Sequence, residues 1–315
     1  MTTIFNRYNC DAIANTYSIV ARDTKTGEMA VGVQSHWFSV GSVVSWGQSG
    51  IGVVATQSFV NKSFGLRGLD LLKQGKSPKE VINILLSDDE GREVRQVAIL
   101  DNTGRVAVHT GLKCIKHAGH LEGNNFSVQA NTMLSDKVWP SMADAFKKNK
   151  DLTLPERVIK SLEAAQSAGG DIRGKQSAAL LVVAGQPQEN QWDDPIIDIR
   201  VADHEEPLKE LARLLKAFRA YEHMDNGDLA MEKGNIDKAL EEYNTAREMF
   251  PDNLEMKYWT AISLANGNRM EEALVLFKEV FKKDTNWFTL TERLPEVGLL
   301  NLKETELEKI LSLKY

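Results

Sequence analysis

The stretch Thr16–Asp23, TYSIVARD, runs through a turn at Gly27 into Met29–Ser35, MAVGVQS. Both segments are rich in β-branched and small apolar residues and read as two strands of a hairpin. The first strand opens on a hydroxyl residue. A hairpin of this kind sets Thr16 at the open end of a sheet sandwich. There its Oγ acts as a nucleophile, provided the α-amine of the same residue is free to serve as base. Fifteen residues precede Thr16, so in the chain as translated that amine is part of a peptide bond. The functional question turns on this mismatch.

Outward from the hairpin, Gly41–Trp46 (GSVVSW) and Gly50–Thr56 (GIGVVAT) are β-branched runs that predict a second strand pair. Apolar spacing then becomes helical over Phe64–Gln74 and Pro78–Ser87, the latter opened by Ser77 as N-cap and Pro78 at the first helical position. Strands are expected again at Glu93–Asp101, Arg105–Thr110 and Phe126–Asn131. Helices follow at Asp136–Asn149 and Leu154–Ala168, then strands at Gln176–Ala184 and Ile196–Ala202, then an amphipathic helix over Glu205–Tyr221. Helices arrive in pairs, whereas a doubly wound parallel sheet inserts one helix per crossover. The order predicts an α+β fold of two stacked, largely antiparallel sheets with a helical layer outside each, a four-layer α-β-β-α sandwich.

Beyond Tyr221 the signal is all helical and repeats itself. Gly227, Gly234, Ala239, Tyr243, Ala246 and Pro251 fall on the small, aromatic and proline positions of a tetratricopeptide repeat. Ala239 recurs as Ala273 (273 − 239 = 34), Tyr243 as Phe277 and Ala246 as Val280. The expected organisation is an N-terminal tail over 1–15, a sandwich over 16–221 and a helical repeat domain over 222–315. In that last domain Phe288–Leu300 and Glu304–Ser312 form capping helices. Two repeats make a short groove, suited to a peptide, to a second subunit or to bracing the sandwich edge.

Composition narrows the function classes. The chain has 315 residues, 42% hydrophobic and 26% charged, with a net charge of −6. An acidic balance argues against nucleic acid as a partner, since phosphate binding needs a basic footprint. No apolar run approaches the roughly 18 residues of a membrane span. Two cysteines, Cys10 and Cys114, are too few for a disulfide framework or a thiolate metal site and fit a reducing, cytoplasmic setting. Ala12-Ile13-Ala14 resembles the small-x-small end of a leader, which leaves export open.

The blocks TYSIVARD, VGVQSHWFSVGSVVSW, GIGVVATQSFVN, GLRGLDLL, RQVAILDNTGRVAVHTG and GKQSAALLVV resemble, in order, a domain-of-unknown-function family of the N-terminal-nucleophile (Ntn) hydrolase-like superfamily. The resemblance spans Thr16 to Tyr221 and implies the same α-β-β-α sandwich. In that superfamily the first residue of the first strand is a Thr, Ser or Cys freed by autocatalytic cleavage, and the reactions are amide hydrolyses. Thr16 takes the nucleophile's place. Where proteasome-type members carry an Asp and a Lys, this chain has Gln34-Ser35-His36 and Gly41–Trp46.

The candidate catalytic residues are Thr16, His36 and Asp171. His36 follows a strand end and has an imidazole suited to general-base work. Asp171 sits in the Gly169-Gly170-Asp171 turn, with Arg173, Lys175 and Gln176 close behind it. Ser18, Gln34, Gln57, Asn61, Arg173, Lys175 and Gln176 are the candidate substrate-binding residues, with Arg173 able to grip a carboxylate in bidentate fashion. His109, Cys114, His117 and His120 lie close in sequence, but Gly111, Gly119 and Gly123 make the stretch loop-like and no carboxylate pair accompanies it. No metal and no cofactor are expected. The reading is an Ntn-type hydrolase of amide bonds in a small polar molecule or short peptide, in a homo-oligomer, with a protein partner possible through 222–315. The alternative is a non-catalytic sandwich serving as a binding or assembly protein.

Overall fold

The computed structural model describes residues 11–313 and divides into two compact units, with the boundary between Leu214 and Leu215. In the first unit β1 (Ala12–Ala14), β2 (Thr16–Arg22) and β3 (Met29–Ser35) precede a helical turn α1 (Gly41–Val44), then β4 (Ser45–Gln48) and β5 (Gly52–Val60). Helices α2 (Ser63–Lys73) and α3 (Pro78–Ser87) lead to β6 (Arg95–Asp101), β7 (Val106–Thr110), β8 (Gly119–Gly123) and β9 (Phe126–Ala130). Helices α4 (Val138–Lys148) and α5 (Leu154–Ser167), strands β10 (Ser177–Val183) and β11 (Ile197–Val201), and the start of α6 (Pro207–Glu232) complete it.

These strands form two antiparallel sheets. One has the order β1-β5-β6-β7 with β4 also on β5, the other β11-β10-β3-β2-β9-β8. The opening hairpin forms as the sequence predicts, with Thr16 opposite Ser35 and Arg22 opposite Met29. Alternation sends Val20, Val31 and Val33 inward, where they meet Val53, Ala55, Ala98 and Leu100 of the facing sheet. On the other side of the first sheet, Val54, Val97 and Ile99 pack against Phe64, Leu69, Val81 and Leu85 of α2 and α3. The Ser77–Glu80 capping box starts α3. On the second sheet α5 lies against β2 and β3. A Cβ at Gly32 would come within 2.2 Å of Val158, so the helix approaches this closely only because position 32 has no side chain.

Three expectations are corrected. Residues 11–15 are not a loose tail. Ala12 and Ala14 are buried, and β1 pairs with β5 in the register Ala12↔Val60, Ile13↔Phe59, Ala14↔Ser58. Two alanines spaced by two suit a strand whose small side chains enter a core, and the same spacing imitates a leader's end. The rest of the tail, Cys10 included, lies outside the described residues. Gly41–Trp46 is not a strand throughout. Ser39 adopts φ 54° and Ser42 donates to its carbonyl, so the chain takes a helical turn and the strand begins at Ser45. Gly119–Gly123 is a strand, β8, paired with β9. Its glycines serve packing, since a Cβ at Gly119 would meet Trp139 at 2.6 Å and one at Gly123 would meet Phe126 at 2.1 Å.

The second unit is all helical: the end of α6, then α7 (Ile236–Met249), α8 (Leu254–Asn266), α9 (Met270–Lys283), α10 (Asn286–Arg293) and α11 (Glu304–Leu311). Helix ends repeat at the expected period (266 − 232 = 34; 270 − 236 = 34). Ala239, Tyr243, Ala246, Ala273, Phe277 and Val280 are all 0% exposed, as core positions of paired helices must be. A Cβ at Gly227 would lie 2.3 Å from the Tyr243 ring, which is anchored by its hydroxyl donating to Asp228 at 2.6 Å. Gly227→Ala is therefore expected to cost about 1–3 kcal/mol through overpacking. Chemical denaturation of the full chain checks this, and an unchanged midpoint would show that the ring yields freely. No helix among the described residues is long and apolar enough to cross a membrane.

Candidate functional site

The peptide joining Asn15 to Thr16 is where the chain leaves one sheet, as β1, and enters the other, as β2. Thr16 is buried, and its Oγ donates to the Ala14 carbonyl at 2.6 Å. The Asn15 carbonyl oxygen accepts from Ser35 Oγ at 2.5 Å and from Arg173 Nη2 at 2.7 Å. Ser35 supplies one donor because it ends β3 directly opposite Thr16.

Arg173 supplies the other because Asp171 fixes it. The two form a bidentate pair, Nε to Oδ1 at 3.0 Å and Nη2 to Oδ2 at 2.7 Å. The Asp171 side chain is 0% exposed and also accepts from the backbone N–H of Arg173 at 2.9 Å and of His36 at 3.1 Å. This turn is braced by Thr132, whose carbonyl accepts from the Ile172 N–H and which sits at φ 64°. A β-branched residue in the left-handed region costs on the order of 1–3 kcal/mol, so the surrounding bonds hold the turn against strain.

Beneath the outer face, the buried Tyr17 hydroxyl donates to Gln34 Oε1, with Gln166 Oε1 at 3.1 Å. Burial first, and then the Asp171 charge, raises the Tyr17 pKa well above its ordinary value, so it stays protonated at neutral pH. Gln34 Nε2 and Asn15 Oδ1 are buried without a hydrogen-bond partner. One belongs to Asn15 itself and the other to Gln34, the neighbour of Ser35.

Toward the inner face the site rests on a polar network in which the side chains of Ser18, Gln57, Gln96, Gln129 and Asn131 are fully buried. Ser18 Oγ donates to Gln57 Oε1 at 2.6 Å and accepts from Gln129 Nε2 at 2.6 Å. Gln57 Nε2 donates to Gln96 Oε1 at 2.7 Å and to the Thr16 carbonyl at 3.3 Å. Asn131 Nδ2 donates to Gln96 Oε1 at 2.9 Å and to the same Thr16 carbonyl at 3.4 Å. Gln96 Nε2 continues to Thr110 Oγ1 at 2.8 Å, and Thr110 Oγ1 lies 2.8 Å from His120 Nδ1. Ser18 and Gln57 are thus placed under Thr16 as its support. Gln96, Gln129 and Asn131 were not singled out from sequence.

The remaining candidates separate. His36 is exposed beside Gly174 and reaches Asp171 through its backbone. Lys175 pairs with Glu206, and the Gln176 N–H donates to the Ser35 carbonyl at 3.1 Å. Asn61 accepts from Ser63 and lines a separate polar cavity of 430 Å³ with Asp11, Lys62 and Arg67. Burial lowers the His120 pKa and raises that of the Cys114 thiol, and both line a cavity of 500 Å³ with Thr110 and Trp139. His109 binds the Arg92 carbonyl instead, at 2.8 Å. No group of His, Cys, Asp and Glu among the described residues is arranged to hold a metal ion.

A family model described as a family of unknown function (DUF1028) matches residues 16–211, and a tetratricopeptide-repeat model matches residues 224–284. Among solved structures the chain is similar to the crystal structure of protein SPO2555 from Silicibacter pomeroyi, assigned to DUF1028. The identity is 29% and the TM-score 0.58, over 64% of this chain and 85% of that one. No curated protein matches the chain.

Proposed function

The chain belongs to the family of unknown function DUF1028, and we propose that its first unit is an Ntn-type α-β-β-α sandwich that cuts itself between Asn15 and Thr16. Thr16, so exposed, then hydrolyses amide bonds. One observation carries the reading: the carbonyl of the bond before Thr16 already accepts from two donors, Ser35 Oγ and Arg173 Nη2, at 2.5 and 2.7 Å. Two donors already on the oxygen that would become the oxyanion support this reading, since removing one such donor costs about 2.7–4 kcal/mol.

In the cutting step Thr16 Oγ adds to the Asn15 carbonyl carbon, and its proton ends on the Thr16 nitrogen as the C–N bond breaks. Water then hydrolyses the resulting ester to the Asn15 carboxylate and the free Thr16 hydroxyl. The freed α-amine, with an ordinary pKa near 8, then serves as base for its own hydroxyl. Substrate carbonyls occupy the position the Asn15 carbonyl vacates, between Ser35 and Arg173, and Asp171 orients the arginine. His36 is reserved for substrate contact at the exposed rim.

Intact-mass measurement of the purified full-length protein tests this. The expected result is a chain beginning at Thr16, with Thr16→Ala remaining uncut and Thr16→Ser still cut. A wild-type chain that stays full length and hydrolyses amides equally well as Thr16→Ala would remove Thr16 from the mechanism.

A second reading assigns partner binding to the repeat unit. It is favoured by a groove of 560 Å³ lined by Met224, Met231, Met256 and Trp259 together with Asp225, Asp228, Glu232 and Glu255. Such a lining suits an apolar segment carrying Lys or Arg.

A further inference from the structure

We propose that β1 is a tethered copy of the acyl half of the substrate, so that the cut enzyme takes an extended peptide ending in an Asn-sized residue, with small residues at the second and fourth positions before the cleaved bond. This inference rests on the hydrolase reading above and specifies its substrate.

Three observations converge on it. First, β4 covers β5 only from Gly52 to Ala55, and the edge from Ser58 to Val60 is covered by β1 alone among the described strands. Departure of β1 bares an edge of three residues to which an extended segment pairs through its backbone. Second, the Asn15 carbonyl, which ends this segment, lies in the donor pair where a substrate carbonyl must lie.

Third, the side chains of β1 report the space beside that edge. Ala14 is 0% and Ala12 4% exposed, both within the core between the sheets, while Ile13 between them is only half-buried. The second and fourth positions therefore admit methyl-sized groups, whereas the third is tolerant. Asn15 is 4% exposed, yet its Oδ1 has no donor. Shape rather than a bond to that oxygen selects the first position, so the isosteric Leu fits there as Asn does.

In turnover the Thr16 amine takes the Oγ proton as Oγ attacks the substrate carbonyl. The C–N bond breaks, the leaving amine takes the proton, and water hydrolyses the ester to a carboxylate and the free hydroxyl.

The test uses the full chain after its own cleavage and four fluorogenic amides of aminomethylcoumarin. The parent is acetyl-Ala-Ile-Ala-Asn, compared with its variants carrying Leu at the second position, Thr at the third and Leu at the first. Leu at the second position is expected to lower kcat/KM about tenfold or more, and the other two changes about threefold or less. A cut chain that hydrolyses none of the four, or all four alike, overturns the inference and leaves the self-cleavage standing. A chain that stays full length overturns both.

Discussion

Arg173→Ala is expected to leave the chain uncut under conditions in which the wild type is fully processed, a slowing of about 10²–10³-fold from loss of one oxyanion donor. Its Nη2 is one of two groups bonded to the Asn15 carbonyl, and nothing else within the Asp171 turn is bonded to that oxygen in its place. The substitution has a second effect that must be separated from the first. It leaves the Asp171 carboxylate, 0% exposed, without its cation. Breaking a buried pair from one side costs about 3–5 kcal/mol, so a folding defect alone would also prevent cutting. Adding Asp171→Asn removes the stranded charge and is expected to restore stability without restoring cleavage. Time-resolved intact mass together with chemical denaturation reads the two effects apart. Cleavage by the double variant at the wild-type rate would dismiss Arg173 as an oxyanion donor. Arg173→Lys is expected to cut slowly, since an ammonium can reach the carbonyl but cannot grip Asp171 through two parallel bonds.

Most of the fold was legible because strand and helix periods differ. The run from TYSIVARD to MAVGVQS and the capped helix at Ser77–Pro78 form close to where their residues place them. What sequence missed has local physical causes. Alanines spaced by two at 12 and 14 have too little apolar weight to announce a strand, yet small size is what their places in the core require. Glycines at 119 and 123 read as loop until the Trp139 and Phe126 rings against them are known.

The polar network is written into the sequence as a change of polarity along the inward faces of its strands. Along β2 the inward stripe reads Thr16, Ser18, Val20, and along β5 it reads Val53, Ala55, Gln57. Along β6 it reads Gln96, Ala98, Leu100, and β9 adds Ser127 and Gln129. The stripes of β2, β5 and β6 each pass from apolar to amide or hydroxyl, that of β9 is polar throughout, and in the antiparallel registers these polar residues fall together. A period-two stripe that changes polarity part-way marks a buried polar centre, and this one lies directly beneath the bond proposed for cleavage. Arg173 and Asp171 were visible as a charged turn, but their grip on the Asn15 carbonyl depends on a contact between residues 158 positions apart.

Gln96→Leu is expected to destabilise the first unit by on the order of 3–6 kcal/mol, because one amide satisfies several groups at once. Gln96 Oε1 accepts from Gln57 and Asn131, while its Nε2 donates to Thr110 Oγ1 and to the carbonyls of Gly119 and Ala130, at 3.2 and 3.0 Å. Leu matches its shape but offers none of these bonds, and each buried group left unpaired costs about 1–3 kcal/mol. Domain stabilities are themselves about 5–15 kcal/mol, so the variant lies near the limit of folding. The loss is read as a lower denaturation midpoint of the transition that includes the sheets. A loss under about 1 kcal/mol would show that water enters and replaces the amide. The same variant addresses the site, since Gln57 and Asn131 both bond the Thr16 carbonyl and both lean on Gln96. If the network positions Thr16, a folded Gln96→Leu chain at low temperature cuts more slowly than wild type. If the network serves stability alone, that chain cuts at the wild-type rate although it unfolds sooner.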